Sequence, residues 1–321
     1  MNDDMRAIAM GVHVLDVLVR PVEAIPEGQG GELVEEIRIT AAGSAGGTAL
    51  VLAKLGASVK SAGAIGRDAA GDMLLALLDR DGVDTELLVR RDDVQTSASV
   101  LPIRPSGERP AFHVVGANGS FGPDDVPPAE IEAATHLHLG GPEFMGGEAA
   151  APLLARAREH GVVTSADVLA PGELGLLDWI APALAELDYL LPNREQVLGL
   201  TGTDDIEAGC RALLERGVGC VAATCGAEGV VIVDSDGTET VPAFEVEAVD
   251  TTGCGDAFSA GFLRGLALGR ERRDAAVLGC AVAGLVAQGL GTDHGDFDLA
   301  AVEQLAEALV QHRLRGRHRI A

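Results

Sequence analysis

The segment Asp250-Thr251-Thr252-Gly253-Cys254-Gly255-Asp256 sets two glycines and a carboxylate directly ahead of the small-residue run Ala257-Phe258-Ser259-Ala260-Gly261-Phe262. Gly253 and Gly255 let the backbone turn tightly, so several N–H groups can converge at the positive end of the helix which that run predicts. Such a cradle holds an anion. A carboxylate at the same turn lies within reach of whatever sits against the cradle, which suits a base that orients or deprotonates a hydroxyl attacking a γ-phosphate. The same residues also make an ordinary tight turn with Asp256 as a helix cap. Cys254 reads either as a thiol acidified by a helix N-terminus or as a small filler.

The longer string separates these readings. Asp-Thr-Thr-Gly-x-Gly-Asp-Ala-Phe-x-Ala-Gly-Phe over residues 250–262 resembles the C-terminal signature of the ribokinase (PfkB) family of carbohydrate and nucleoside kinases. Further stretches resemble that family in the same order along the chain. They are Ala42-Gly43-Ser44-Ala45-Gly46-Gly47-Thr48-Ala49, then Gly66-Arg67-Asp68 with Gly71, Gly116-Ala117-Asn118, Pro192-Asn193 with Leu200-Thr201-Gly202, and Thr224-Cys225-Gly226-Ala227-Glu228-Gly229.

Carried over residue by residue, the resemblance implies that Asp256 is the base and that Gly253, Cys254 and Gly255 give backbone donors to the transferring phosphate. Asp16, placed by the pattern at the end of the first strand, would grip substrate hydroxyls. Gly43 would let the sugar approach the backbone, and Gly47 and Asn118 would complete the substrate pocket. Asn193, Thr224, Gly226, Gly229 and Thr252 would line ATP. Asp250 and Thr252 resemble residues that hold a monovalent cation, K⁺, beside the anion hole. Three positions depart from the family pattern. Gly47 stands where a sugar-binding Asn is usual, which removes a hydrogen-bonding side chain. His13 replaces a polar Asn three residues before Asp16. Gln196 takes the acidic position that organises Mg²⁺ through water, a task for which a neutral amide is less suited.

The elements that must position these residues follow a simple rhythm. Short apolar runs (Ala7–Val14, Val59–Ala64, His136–Leu139, Val162–Ala166, Tyr189–Pro192, Cys220–Thr224 and Gly229–Val233) alternate with amphipathic stretches (Ala45–Leu55, Ala70–Arg80, Gly147–His160, Arg194–Leu200, Ile206–Arg216, Ala257–Leu268 and Arg273–Gln288). That is the pattern of a mainly parallel sheet covered by helices on both faces. With the resemblance it implies a ribokinase-like three-layer αβα fold over residues 1–321 as a single domain. Residues 17–42 and 95–116 break the rhythm with β-type alternation and Gly/Pro punctuation, including Glu32-Leu33-Val34 and Pro105-Ser106-Gly107. They predict a small β-sheet lid that folds over a substrate or pairs with a second subunit.

Composition limits the alternatives. Hydrophobic residues make up 47% and aromatics 3%, so the core is built from Ala, Val, Leu and Ile. A net charge of −25 argues against nucleic acid and membrane surfaces as partners, and means that ATP must be held by local backbone donors, Mg²⁺ and a few cations. The basic run Arg313, Arg315, Arg317, Arg319 reads as a solvated tail. Five cysteines without a C-x-x-C pair read as reduced thiols, and the lack of a leader or spanning run predicts a cytoplasmic protein. Gly11-Val12-His13-Val14-Leu15-Asp16 lacks a dinucleotide fingerprint, and no G-K-[ST] exists in the chain. The sequence therefore points to an ATP-dependent sugar kinase acting on a primary hydroxyl, expected to be a homodimer through the lid. An adenosine-type nucleoside kinase, or a non-catalytic sugar or nucleoside sensor of the same fold, stands as the alternative.

Overall fold

In the computed structural model, which describes residues 4–170, 172 and 174–307, the first apolar run breaks in two. The strands are β1 (Arg6–Gly11), β2 (Val14–Arg20), β3 (Glu36–Ala42), β4 (Ser58–Gly66), β5 (Asp84–Arg91), β6 (Ala98–Pro102), β7 (Phe112–Val114), β8 (His136–Gly140), β9 (Val163–Asp167), β10 (Tyr189–Leu190), β11 (Cys220–Thr224), β12 (Val230–Asp234) and β13 (Gly237–Val241). The helices are α1 (Ser44–Lys54), α2 (Ala69–Arg80), α3 (Pro128–Ala133), α4 (Pro142–Met145), α5 (Gly147–Glu159), α6 (Leu174–Leu184), α7 (Arg194–Thr201), α8 (Ile206–Leu214), α9 (Cys254–Ala267) and α10 (Arg272–Val286).

Nine strands form the large sheet in the order β13-β12-β11-β10-β9-β8-β1-β4-β5. From β11 to β5 every pairing is parallel; β12 and β13 add an antiparallel edge. One face packs against α1, α2, α9 and α10 through Leu50, Leu78, Phe258 and Val282. The other packs against α3, α5, α6, α7 and α8 through Ile131, Leu154, Ile180, Val197 and Leu213. This is the expected three-layer αβα architecture. Parallel strands buried on both faces read as continuous apolar runs, and that is why the pattern was legible.

A second sheet, in the order β3-β2-β6-β7, grows out beside the first. Strand β1 ends at Gly11, where a φ of 122° and a backbone so close to Gly140 that a Cβ would lie 2.1 Å from its carbonyl oxygen force a turn. The chain then re-enters as β2, pairing antiparallel with β3 and parallel with β6. Asp16 accordingly lies within the small sheet, opposite Thr40 and Ser99, and not at the end of the first strand. Glu32-Leu33-Val34 is not a strand, and Leu33 is fully exposed. The basic run at 313–319 lies outside the described residues.

Candidate active site

The sheet's parallel strands deliver Gly140, Asp167 and Thr224 to one edge at their carboxyl ends, which is where open α/β sheets bind ligands. Helix α9 points its N-terminus at the same edge. Its N-cap, Gly253, has φ 76°, and a Cβ there would fall 2.1 Å from the Thr292 hydroxyl, so both the turn and the packing demand glycine. The amides of Gly255 and Asp256 lie in the first turn, where no intrahelical acceptor exists. Cys254 behaves differently from expectation: its N–H turns back to the Thr251 carbonyl at 3.3 Å, so the cradle is left to its neighbours. Burial first, then the Asp250 charge, pushes the Cys254 thiol up to about 12, which favours the small-filler reading over the acidified thiol.

Asp256 occupies the third helical position and looks into the cleft, partly open to solvent. Its pKa is raised well above the ordinary carboxylate value by desolvation, then by the charges of Asp167 and Asp16, with Arg109 acting in the opposite sense. Gly47 on α1 explains how the carboxylate fits. A Cβ at residue 47 would lie 2.3 Å from Asp256 Oδ2 and 3.0 Å from its Cβ. The missing Asn side chain is thus space that Asp256 fills. Asp16 is buried, with its pKa raised from 3.8 to about 6, chiefly by desolvation. The Ser99 hydroxyl and the Arg109 charge offset part of that shift, while Asp250 adds to it.

Several of the expected site residues also hold the protein's own backbone. Asn118 is buried with both amide ends on the backbone of His13: Oδ1 accepts from His13 N at 3.1 Å and Nδ2 donates to His13 O at 3.0 Å. It clamps the segment leading into β2. His13 is itself buried between Gly11 O and the Ser61 hydroxyl, both at 3.0 Å, and burial lowers its pKa to about 4, so it is a neutral structural residue. Gly43 has φ 85° and would place a Cβ 2.6 Å from Val12 O; the backbone it admits is the chain's own. Gln196 caps α7, accepting from Asn193 N at 2.8 Å through Oε1 and donating through Nε2 to Val168 O at 2.5 Å. Both ends of its amide are engaged in holding the entry to α7.

On the far side of α9 lies an apolar cavity of about 470 Å³, lined by Thr224, Gly226, Gly229, Thr251, Cys254 and Gly255. Small residues of α10, Ala283 and Gly284, and the side chains of Phe244 and Val246 complete its walls. Gly229, at φ 99°, passes so close to Val241 O that a Cβ would sit 2.1 Å away. Asn193 joins this wall through an isolated bridge to Thr224. Of the expected nucleotide residues, Thr224, Gly226 and Gly229 line this pocket together with Cys254 and Gly255 of α9, while Asn193 and Thr252 lie outside its lining. Asp250 is buried behind the cradle: Oδ1 accepts from Thr252 N (3.0 Å) and Oγ1 (2.8 Å), and Oδ2 from Gly291 N (3.2 Å).

Two charged residues escaped the sequence reading. Asp167 ends β9, one residue beyond the expected strand, and is buried with Oδ1 unpartnered among the described residues; Oδ2 is 3.7 Å from His138 Nε2. Its place at a strand's carboxyl end was the available signal. Arg109 lies in the exposed β6–β7 loop and crosses 143 residues of sequence to donate to Thr252 Oγ1 at 3.1 Å. No local pattern marks such a contact.

Comparison with known proteins agrees with this geometry. The profile described as pfkB family carbohydrate kinase matches residues 11–297. An ATP-dependent ribose-1-phosphate kinase from Halopiger xanaduensis is 32% identical over 260 residues, 81% of this chain and 84% of its own. A nucleoside kinase from Methanothermobacter thermautotrophicus is 27% identical over 91% of this chain and 92% of its own. The structure of Arabidopsis thaliana ribokinase complexed with ribose and ATP superposes with a TM-score of 0.80 at 22% identity, covering 95% of this chain and 99% of that one. The chain belongs to the pfkB family of carbohydrate kinases, phosphotransferases that act on an alcohol group.

Proposed function

We propose that the enzyme transfers the γ-phosphate of ATP in line to a primary hydroxyl of a sugar, with Asp256 as catalytic base. One observation carries this reading: Asp256 stands in the first turn of α9, where it feels the charges of Asp167 and Asp16, and its neighbours Cys254 and Gly255 line the apolar cavity. ATP would lie against Thr224, Gly226 and Gly229, with its terminal phosphate at the amides of Gly253 and Gly255. Asp16 would accept hydrogen bonds from the acceptor's hydroxyls. Asp256 would take the proton of the attacking hydroxyl, and the desolvation that raises its pKa makes it a stronger base than an ordinary carboxylate.

The unpartnered Oδ1 of Asp167 is a hard oxygen that suits Mg²⁺. Held there, that ion would supply charge neutralisation to the phosphates of ATP. The buried, unpartnered Thr292 hydroxyl beside Asp250 and Thr252 suits a monovalent cation, K⁺, which would strengthen the positive field of the cradle. The whole chain reads as one kinase domain, with the small sheet as its lid.

The lid's outer face supports a homodimer. Ile37, Ile39, Val100 and Phe112 are 62%, 43%, 44% and 61% exposed, and the register sets Val17 beside Ile39 and Val100, and Val100 beside Phe112. A second copy of this sheet is the natural cover for such a face.

The test is a coupled ATP-consumption assay over sugars, sugar phosphates and nucleosides, the last because the nucleoside kinase aligns over 91% of this chain. Asp256→Asn is expected to lower kcat by about 10²–10⁴ with ATP binding retained. Unchanged turnover in that variant removes Asp256 from the mechanism.

A further inference from the structure

We propose that His113 of the lid is a specificity-determining residue, which accepts a hydrogen bond from an uncharged N–H donor on a substituent that the acceptor sugar carries. The inference rests on the kinase reading above and narrows its acceptor from a free sugar to one bearing a neutral, donor-carrying heterocycle.

The small sheet carries one polar row straight across its strands. The register sets Thr40 of β3 opposite Asp16 of β2, Asp16 opposite Ser99 of β6, and Ser99 opposite His113 of β7. Directly paired residues share a face, and the next row along (Ile39, Val17, Val100 and Phe112) turns to the other face. Thr40, Asp16 and Ser99 are 0%, 6% and 8% exposed, whereas His113 is exposed. The polar row is therefore sealed at Thr40 and open at His113. Strands β2 and β7 stand two strand spacings apart, about 10 Å, which is wider than one sugar ring. With the ring gripped at Asp16, the imidazole stands where a substituent of that ring would emerge.

The protons along the row fix the tautomer of the imidazole. Ser99 hydrogen-bonds both the Asp16 carboxyl group and, at 3.0 Å, His113 Nδ1. A hydroxyl has one proton and an ionised carboxylate only accepts, so that proton goes to Asp16 and Nδ1–H donates to Ser99 Oγ. Nε2 is then left as a lone pair, and among the described residues nothing donates to it. Burial lowers the pKa of His113 below its ordinary value, so the ring is neutral at neutral pH.

A lone pair fixed in the plane of a held ring selects its partner. The rigid N–H of a planar heterocycle matches it in direction, where a hydroxyl that turns freely is not selected. An anionic substituent such as a phosphate brings only acceptor oxygens and meets the lone pair with repulsion. Nucleosides with an amino-substituted base are the simplest acceptors of the matching kind.

The experiment uses the full-length wild type, His113→Ala and His113→Gln. Its acceptors are ribose, ribose 1-phosphate, adenosine, and purine riboside, which is adenosine without its amino group. His113 is exposed, so the variants are expected to fold with the wild-type melting temperature. Wild type should show a KM for adenosine about tenfold below those for purine riboside and ribose 1-phosphate. His113→Ala should raise the adenosine KM about tenfold relative to that for purine riboside, with kcat changed far less. His113→Gln should recover part of the loss, because its amide oxygen can take the same hydrogen bond while its NH₂ donates to Ser99. A residue that merely holds the lid together would shift every acceptor alike. Calorimetry with adenosine and purine riboside in the absence of ATP reads the same difference without turnover. Equal shifts for all acceptors, no wild-type preference for adenosine over purine riboside, or tightest binding of ribose 1-phosphate overturns the proposal. Turnover that is indifferent to His113 overturns it too, and leaves the kinase reading intact. A wild type that binds adenosine through His113 but phosphorylates none of the acceptors would instead sink the kinase reading, while keeping His113 as the residue that selects the ligand.

Discussion

Two acidic side chains of the cleft, Asp16 and Asp256, hold their protons above the ordinary carboxylate range, chiefly through desolvation, to which the charges of Asp167 and Asp16 add at Asp256. Burial disfavours the charged form of a carboxyl group, and a neighbouring negative charge acts in the same sense. For Asp16 the consequence can be signed. Its pKa in the folded protein, about 6, lies above its ordinary 3.8. The folded state therefore holds this proton more tightly than the unfolded chain between those values. Stability from this group is full below about pH 4 and is lost as pH rises to about 6. Asp16→Asn should remove that dependence. At pH 8 the variant should be more stable than wild type by up to about 3 kcal/mol, and the difference should vanish near pH 4. Denaturant unfolding across this range checks it, and a gap that is constant with pH would refute the assignment. The same substitution should abolish acceptor binding while sparing ATP. Enhanced stability with lost function is the expected mark of a binding carboxylate held against its own desolvation.

At the scale of elements, the site is a meeting of two helix N-termini. Helix α9 carries Asp256 and α1 brings Gly47 against it, and Arg264 of α9, donating from Nε to Leu55 O at 3.0 Å, fastens the other end of the pair. Helix α10 closes onto α9 where Gly261 and Gly279 lie so near that a Cβ on Gly261 would be 2.8 Å from the Gly279 Cα. The small-residue run after Asp256 is thus a packing surface as well as a motif. Gly47→Ala tests the junction. The added Cβ, 2.3 Å from Asp256 Oδ2, must displace the carboxylate, and a displacement of that order should lower kcat by about 10–10²-fold with little change in melting temperature. Wild-type kcat would show that the carboxylate rotates freely and that Gly47 is not fitted to it. These relations also mark where the sequence could be read. The cradle was legible because a positive-φ glycine and a helix-capping turn are local devices, and the buried parallel strands because both of their faces are apolar. The break at Gly11 was hidden inside a uniformly apolar run. Strand β5, with Asp84 and Glu86 at its start and Arg90 and Arg91 at its end, does not stand out as an apolar run. Arg109 and the clamp from Asn118 to His13 depend on contacts across more than a hundred residues. No periodicity encodes those.

For the whole molecule, the contradiction to resolve is an acidic chain, net −25, that handles an anionic nucleotide. The solution is local. In the proposed function, backbone amides and metal ions would make a small positive site inside a negative exterior, and the exposed apolar face of the small sheet would be the surface at which two like-charged chains meet. The packing of Ile39 and Phe112 into a second lid would bury hydrophobic area at roughly 25 cal/mol per Å² against a repulsion that salt screens. Dimerisation should therefore strengthen with ionic strength. Replacing Ile39 and Phe112 together by Asp removes the apolar contact and adds charge on the same row of the sheet. Light scattering after size-exclusion chromatography should give a dimer for wild type and a monomer for the variant. Because the same β2 strand that carries Val17 on its outer face carries Asp16 on its inner one, the monomer should also show a raised acceptor KM with ATP affinity retained. A monomeric wild type would dismiss the lid as an interface. A dimer that survives both substitutions would move the interface to another face of the molecule.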